Sequence, residues 1–157
     1  MAAPLGNVLQ KESYLAMIRN AEGSKLFRNL YARIGGERSD ITKGGVTSCA
    51  YFVSIILHAF YLVETPHATV AGLERDLLRS GWQKTDTPHE GDIIVWEPVM
   101  QAGSMNAHVG FYIGEDKAIS NDFEMRLIMR HHYTGGIKPD GSPVRVIAAI
   151  YTREFES

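Results

Sequence analysis

The sequence predicts an α+β fold, with a helical N-terminal half packed on a small antiparallel β-sheet. Three observations carry this expectation. Apolar residues recur at helical spacing as far as Gly81. From Trp82 onward the period shortens towards two. The longest apolar run opens at Cys49 and is too long for a strand, so it reads as an interior helix. With 157 residues, residues 1–157 suit a single domain with a core of its own. Residues 44–152 form that core, and residues 1–36 form a helical N-terminal extension.

The elements follow in order. Residues 8–21 place Leu9, Tyr14, Leu15 and Ile18 on one helical face. A second helix is expected over 24–34, with Ser24 as cap and Gly35-Gly36 as stop. Residues 37–48 read as a loop. The helix from Cys49 is apolar on every side and belongs inside the protein. Thr65-Pro66 reads as an N-cap followed by proline at the first helical position. That helix runs to Ser80 and stops at Gly81, with Val70, Leu73, Leu77 and Leu78 inward and Glu74, Arg75, Asp76 and Arg79 wet. Residues 92–96 form a short buried strand, 97–107 a loop and 108–113 a second strand. A hairpin at 114–117 leads into 118–121. Residues 127–133 form another strand, 134–143 a loop and 144–151 the last strand.

Composition narrows the function. Apolar residues make up 45% and charged residues 22%, ordinary for a folded soluble chain. The formal charge of −2 offers no basic field for nucleic acid or an anionic membrane. One cysteine excludes an internal disulfide and a thiolate zinc cluster. His131-His132 lack a spaced third ligand, so neither a metal nor another cofactor is expected, and both are read as surface or cleft-rim residues. The first residues, Met1-Ala2-Ala3-Pro4-Leu5-Gly6, lack the basic start and apolar stretch of a signal peptide. The apolar run is too short to span a bilayer and carries Ser54 and His58. Oligomeric state is not legible.

The single thiol has an unusual setting. Gly44-Gly45-Val46-Thr47-Ser48 runs into Cys49 at the start of the buried helix. Unpaired N–H groups and the positive end of the helix dipole favour thiolate there, so the thiol pKa should fall. A buried cysteine that only fills space is the plainer alternative. A thiolate nucleophile needs a base, usually histidine, and often a group that orients it. Of six histidines, His108 stands where a loop enters a strand, held firmly yet open to a cleft. On that strand residues 108, 110 and 112 share a face. An even-numbered hairpin loop pairs Tyr112 with Ile119 and Gly110 with Asn121, placing the Asn121 amide beside His108. An odd-numbered loop puts Ser120 there instead. Asn121 is the first candidate for the third residue and Ser120 the second. Gly91-Asp92 reads as a structural turn into a strand. Trp96 and Tyr112 are read first as core packing, with a place lining a cleft as the alternative.

These residues resemble the NlpC/CHAP group of papain-like cysteine peptidases. The likeness covers about residues 44–121. It rests on Thr47-Ser48-Cys49-Ala50-Tyr51-Phe52-Val53, on Gly91-Asp92-Ile93-Ile94-Val95-Trp96, and on His108-Val109-Gly110-Phe111-Tyr112-Ile113-Gly114, in that order. The chain departs from the NlpC-type pattern in having Ser48 before Cys49 and Ala50-Tyr51 after it. The resemblance implies a papain-like core, with Cys49 as nucleophile, His108 as base and a polar residue on the next strand. It implies a cysteine hydrolase of amide bonds, acting on peptide or peptidoglycan fragments through a thioester. Two other classes share the residues: a catalytically silent binding module, and a cysteine acyltransferase or deamidase. Without a signal peptide, the expected settings are cytoplasmic or release by another route, as an effector or phage lysin.

Overall fold

A computed structural model describes residues 7–101 and 103–155. Helix α1 spans Gln10–Asn20, α2 spans Cys49–Ala59 and α3 spans Val70–Arg79. Strands β1 (Tyr31–Ile34) and β2 (Glu37–Asp40) form a separate antiparallel hairpin. The remaining strands are β3 (Gln83–Lys84), β4 (Ile93–Gln101), β5 (Ser104–Gly114), β6 (Lys117–Asp122), β7 (Leu127–His132) and β8 (Ile147–Thr152). They make one antiparallel sheet in the order β3-β8-β4-β5-β6-β7. The fold is therefore α+β.

Strand alternation divides β5 between two faces. Val109, Phe111 and Ile113 join Phe52, Val53, Ile56 and Leu57 of α2 in the main core. Phe52 sets its ring edge-to-face against Phe111 at 5.4 Å, a favoured aromatic geometry. The opposite face carries a smaller cluster of Ile94, Trp96, Tyr112 and Ala118. The two faces matter because α2 brings Cys49 to one of them and His108 belongs to the other.

Several expectations need correction. No helix covers 24–34, so the N-terminal extension is only partly helical. Gly35 and Gly36, with φ of 57° and 84°, form a two-residue hairpin turn between β1 and β2 rather than a helix stop. Tyr31 and Ile34 are both exposed, so a helix there would have had little to bury. Residues 37–48 and 97–107 are not simply loops: the first contains β2, and β4 and β5 extend as a hairpin to Gln101 and Ser104.

Helix α3 begins at Val70, not at Pro66, and Thr69 caps it by accepting the Gly72 N–H at 3.1 Å. The reason lies in Asp76, expected on the wet face and found fully buried. Its carboxylate accepts the N–H groups of Glu64 and Thr65 and so holds the chain before the helix in a different path. Leu78, expected inside, is 55% exposed. Helix α2 stops at Ala59, and its His58 is exposed. Among the described residues no helix is long and apolar enough to cross a membrane.

Candidate active site

The approach to Cys49 is built by Asp40. One carboxylate oxygen accepts from Leu30 N at 3.0 Å and from Thr42 Oγ1 at 2.8 Å, and the other from Gly44 N at 2.9 Å. These bonds hold the Asp40 carboxyl well below the usual carboxylate range, against the opposing effect of burial. They fix the turn Lys43–Gly45 that delivers the chain to α2. Gly45 has a φ of 100°, and a Cβ there would come within 2.9 Å of Arg126 Cβ. Only glycine meets both demands.

Ser48 does not cap α2 with its side chain, so the first-turn N–H groups stay uncapped by it beside Cys49. The Sγ of Cys49 lies 4.0 Å from the carbonyl oxygen of Ala107, next to His108 in the chain. The expected fall in the thiol pKa is overturned. Burial is the largest influence and pushes the thiol up. The N–H groups of Val109, Ala50 and Cys49 and the Arg145 guanidinium pull it down without overcoming that.

His108 is nearly buried and stacks on Trp96, its partner across β4, at 5.1 Å between ring centres. The register beyond it differs from expectation. The hairpin loop is even-numbered, since Gly114 pairs with Lys117. An irregularity between Tyr112 and Gly114 then shifts the pairing by one residue, so Tyr112 faces Ala118 and Gly110 faces Ser120. A one-residue shift exchanges the faces of every following side chain. Ser120, not Asn121, therefore reaches His108, with Oγ 3.0 Å from Nε2. The Asn121 amide lies on the other face and donates to Gly45 O at 2.7 Å. It secures the loop before Cys49.

Ser120 has a second partner that the sequence reading did not assign. Its Oγ is 2.6 Å from Nε2 of His131, on β7, and Nδ1 of His131 is 2.7 Å from the carbonyl oxygen of His132. The proton positions follow from this chain. A carbonyl only accepts, so His131 carries its proton on Nδ1. Its neutral Nε2 then accepts from the Ser120 hydroxyl. The Ser120 oxygen in turn accepts from Nε2–H of His108. Nδ1 of His108 is left with a lone pair and no hydrogen-bond partner among the described residues. Both rings are neutral as this requires. Burial, then Arg145 and His131, pull His108 down to about 3, and burial is the main influence lowering His131.

Two cavities meet at His108. One, of about 380 Å³, is lined by Thr47, Cys49, Thr69, Ala107 and Asn121 besides His108. The other, of about 190 Å³, is lined by Trp96, Ser120, His131, Gly135 and Arg145 besides His108. Thus Cys49 and His108 share one cleft, approached from opposite faces of β5, and make no hydrogen bond to each other. Arg145 was also unassigned by sequence. Asp92 accepts the His89 N–H at 2.7 Å, as a turn residue would. Trp96 donates from its indole to Tyr133 O at 2.8 Å. Compared with protein-family models and with curated proteins, the chain matches none.

Proposed function

We propose that this protein is a cysteine hydrolase of amide bonds, with Cys49 as nucleophile and His108 as base. The single observation that carries the proposal is the directed chain from His108 through Ser120 to His131 and the His132 carbonyl. It leaves Nδ1 of His108 without a hydrogen-bond partner among the described residues, on a side chain that lines the same cleft as Cys49.

In this reading the resting pair is thiol and neutral imidazole. As substrate enters, Nδ1 takes the proton from Sγ while sulfur forms a bond to the amide carbon. The oxyanion is held by uncapped N–H groups at the start of α2. The C–N bond then breaks, and the imidazolium returns the proton to the departing amine. Water, deprotonated by the same nitrogen, resolves the thioester and frees the thiol. The resemblance to NlpC/CHAP peptidases favours peptidoglycan peptides as the first substrates to try. Ser120 and His131 are positioning residues, since they act through His108.

The raised thiol pKa and the missing Cys49–His108 hydrogen bond favour a second reading, a binding module in which Cys49 only packs. Mass spectrometry separates the two. Incubation with peptidoglycan stem peptides, followed by acid quench, should give an acyl adduct on Cys49 that Cys49→Ala lacks. Peptide binding without adduct or cleavage across the stem-peptide set supports the binding module.

A further inference from the structure

The side chain of Asn121 is only half used. It stands on β6 opposite Ile128 of β7, on the face to which α2 brings Cys49. It is 4% exposed, and its Nδ2 donates to Gly45 O at 2.7 Å. A carbonyl only accepts, so this bond fixes which way the amide is turned. Oδ1 therefore points away from Gly45, and it has no hydrogen-bond partner among the described residues. Nor is it sealed. Among the described residues, the buried side-chain atoms that are both closed to solvent and unpartnered are Ser48 Oγ and Arg145 Nε and Nη2. A buried amide that cannot turn thus offers a bare acceptor to the space beside it.

That space is the cleft of about 380 Å³ that Asn121 lines together with Thr47, Cys49, Ala107 and His108. Asn121 also borders the smaller cavity, but there it is the neighbouring Ser120 whose side chain turns inward to His108 and His131. The polar neighbours in the cleft do not answer Oδ1. Thr47 donates its hydroxyl to Ile41 O at 3.2 Å. The Nε2–H of His108 is held by Ser120, and the Asn106 amide donates to Ser104. A molecule that fills the cleft strips water from this oxygen, and an acceptor left unmatched then costs affinity. Carbonyls and carboxylates cannot match it. The N–H of a peptide can.

We infer that Asn121 Oδ1 is a substrate-binding acceptor for a peptide N–H in the Cys49 cleft. On the hydrolase reading above, it holds a chain N–H close to the scissile amide, while N–H groups at the start of α2 take the scissile oxygen. One side chain thus ties the loop before Cys49 to the substrate. The cleft would favour secondary amides over N-methylated or ester counterparts of the same shape.

The test is a titration followed by NMR. The backbone N–H signals of Thr47 and Ala107, in the cleft wall, serve as reporters. The indole of Trp82, buried in the main core, serves as internal control. N-methylacetamide, which has one N–H, should shift the reporters saturably. N,N-dimethylacetamide, which has none, should bind roughly three- to tenfold more weakly. Asn121→Ala removes the acceptor and the Gly45 bond together, whereas Asn121→Asp loses that bond but keeps an acceptor. The preference for an N–H should vanish in the alanine variant and persist in the aspartate variant, which separates it from the loop-holding role. If Asn121→Ala does not fold, the two probes on the parent protein and on the aspartate variant carry the comparison. Absence of a saturable shift, equal binding of the two probes, a preference that survives in Asn121→Ala, or one lost in Asn121→Asp would each overturn the inference. The hydrolase reading fails separately. A preference for the N–H probe in a protein that acylates no Cys49 leaves the acceptor standing without it. Stem-peptide cleavage with no probe preference, and with kcat/KM unchanged by N-methylation on either side of the scissile amide, removes the acceptor and leaves the hydrolase.

Discussion

Ser120 Oγ lies 3.0 Å from His108 Nε2, and through it His131, 2.6 Å from the same oxygen, dictates which nitrogen of His108 keeps its lone pair. Replacing Ser120 with alanine removes this control. We expect Ser120→Ala to lower kcat on a cleaved peptide by roughly ten- to a thousandfold, with KM little changed and Cys49 still present as a free thiol. Ser120→Thr, which keeps the hydroxyl, should recover part of the loss. Steady-state kinetics on the two variants checks both statements.

Asn121 should behave differently. Its amide donates to Gly45 O in a buried bond, so Asn121→Ala leaves that carbonyl unpaired. A loss of about 1–3 kcal/mol in stability is expected, read by chemical denaturation. Kinetics then follow the loosened loop, with KM and kcat moving together. A change confined to kcat, with unchanged stability, would make Asn121 the orienting residue after all.

Gly110 lets the site close. A Cβ there would lie 2.8 Å from Ser120 Cβ, 2.9 Å from Ile119 O and 3.1 Å from Trp96. Two of the three obstacles cannot swing away, being a backbone oxygen and an atom next to the backbone. Gly110→Ala should cost about 1–3 kcal/mol and displace Ser120 from His108. Denaturation and the histidine NMR signals together detect this.

Acid should loosen the region before α3. Asp76 is buried and accepts from Glu64 N, Thr65 N, Ser80 Oγ and His67 Nε2. Burial opposes ionisation, but these bonds prevail and lower its pKa to about 2. The folded value thus lies below the unfolded one of about 3.9. Its contribution is fully present above the unfolded value and fades as pH falls through the folded one. Stability should drop between about pH 4 and pH 2, and Asp76→Asn should be less stable at neutral pH with a flatter acid limb. An unchanged acid limb in that variant would contradict the assignment.

The thiol makes a prediction opposite to the one drawn from its helix-start position. Because burial raises Cys49 and His108 is neutral, iodoacetamide alkylation should climb with pH past the ordinary thiol value of about 8.5. A plateau below pH 7 that disappears in His108→Ala would instead show a resting thiolate–imidazolium pair.

Part of the candidate site was legible because its information is local. The loop-to-helix step at Cys49 and the period-two run around His108 announce themselves in a few residues. The identity of His108's partner was not local. It turns on one irregularity near Ile113, which leaves the hairpin loop even yet slips the register and exchanges Asn121 for Ser120. His131 and Arg145 were missed for a related reason. His131 joins only through the β6–β7 register, where it sits opposite Ala118. Arg145 arrives from an irregular segment whose path no periodicity describes. The failed helix over 24–34 came from Gly35-Gly36, a pair that serves equally as a helix stop or a hairpin turn.

The central claim is the direction of the chain from His108 to His131, and nitrogen-15 NMR of the histidine rings at neutral pH tests it most directly. The expected result is a neutral His108 protonated on Nε2 with a bare Nδ1, and a neutral His131 protonated on Nδ1. In Ser120→Ala the His108 tautomer should lose its bias. A His108 protonated on Nδ1, or an imidazolium at neutral pH, would contradict it.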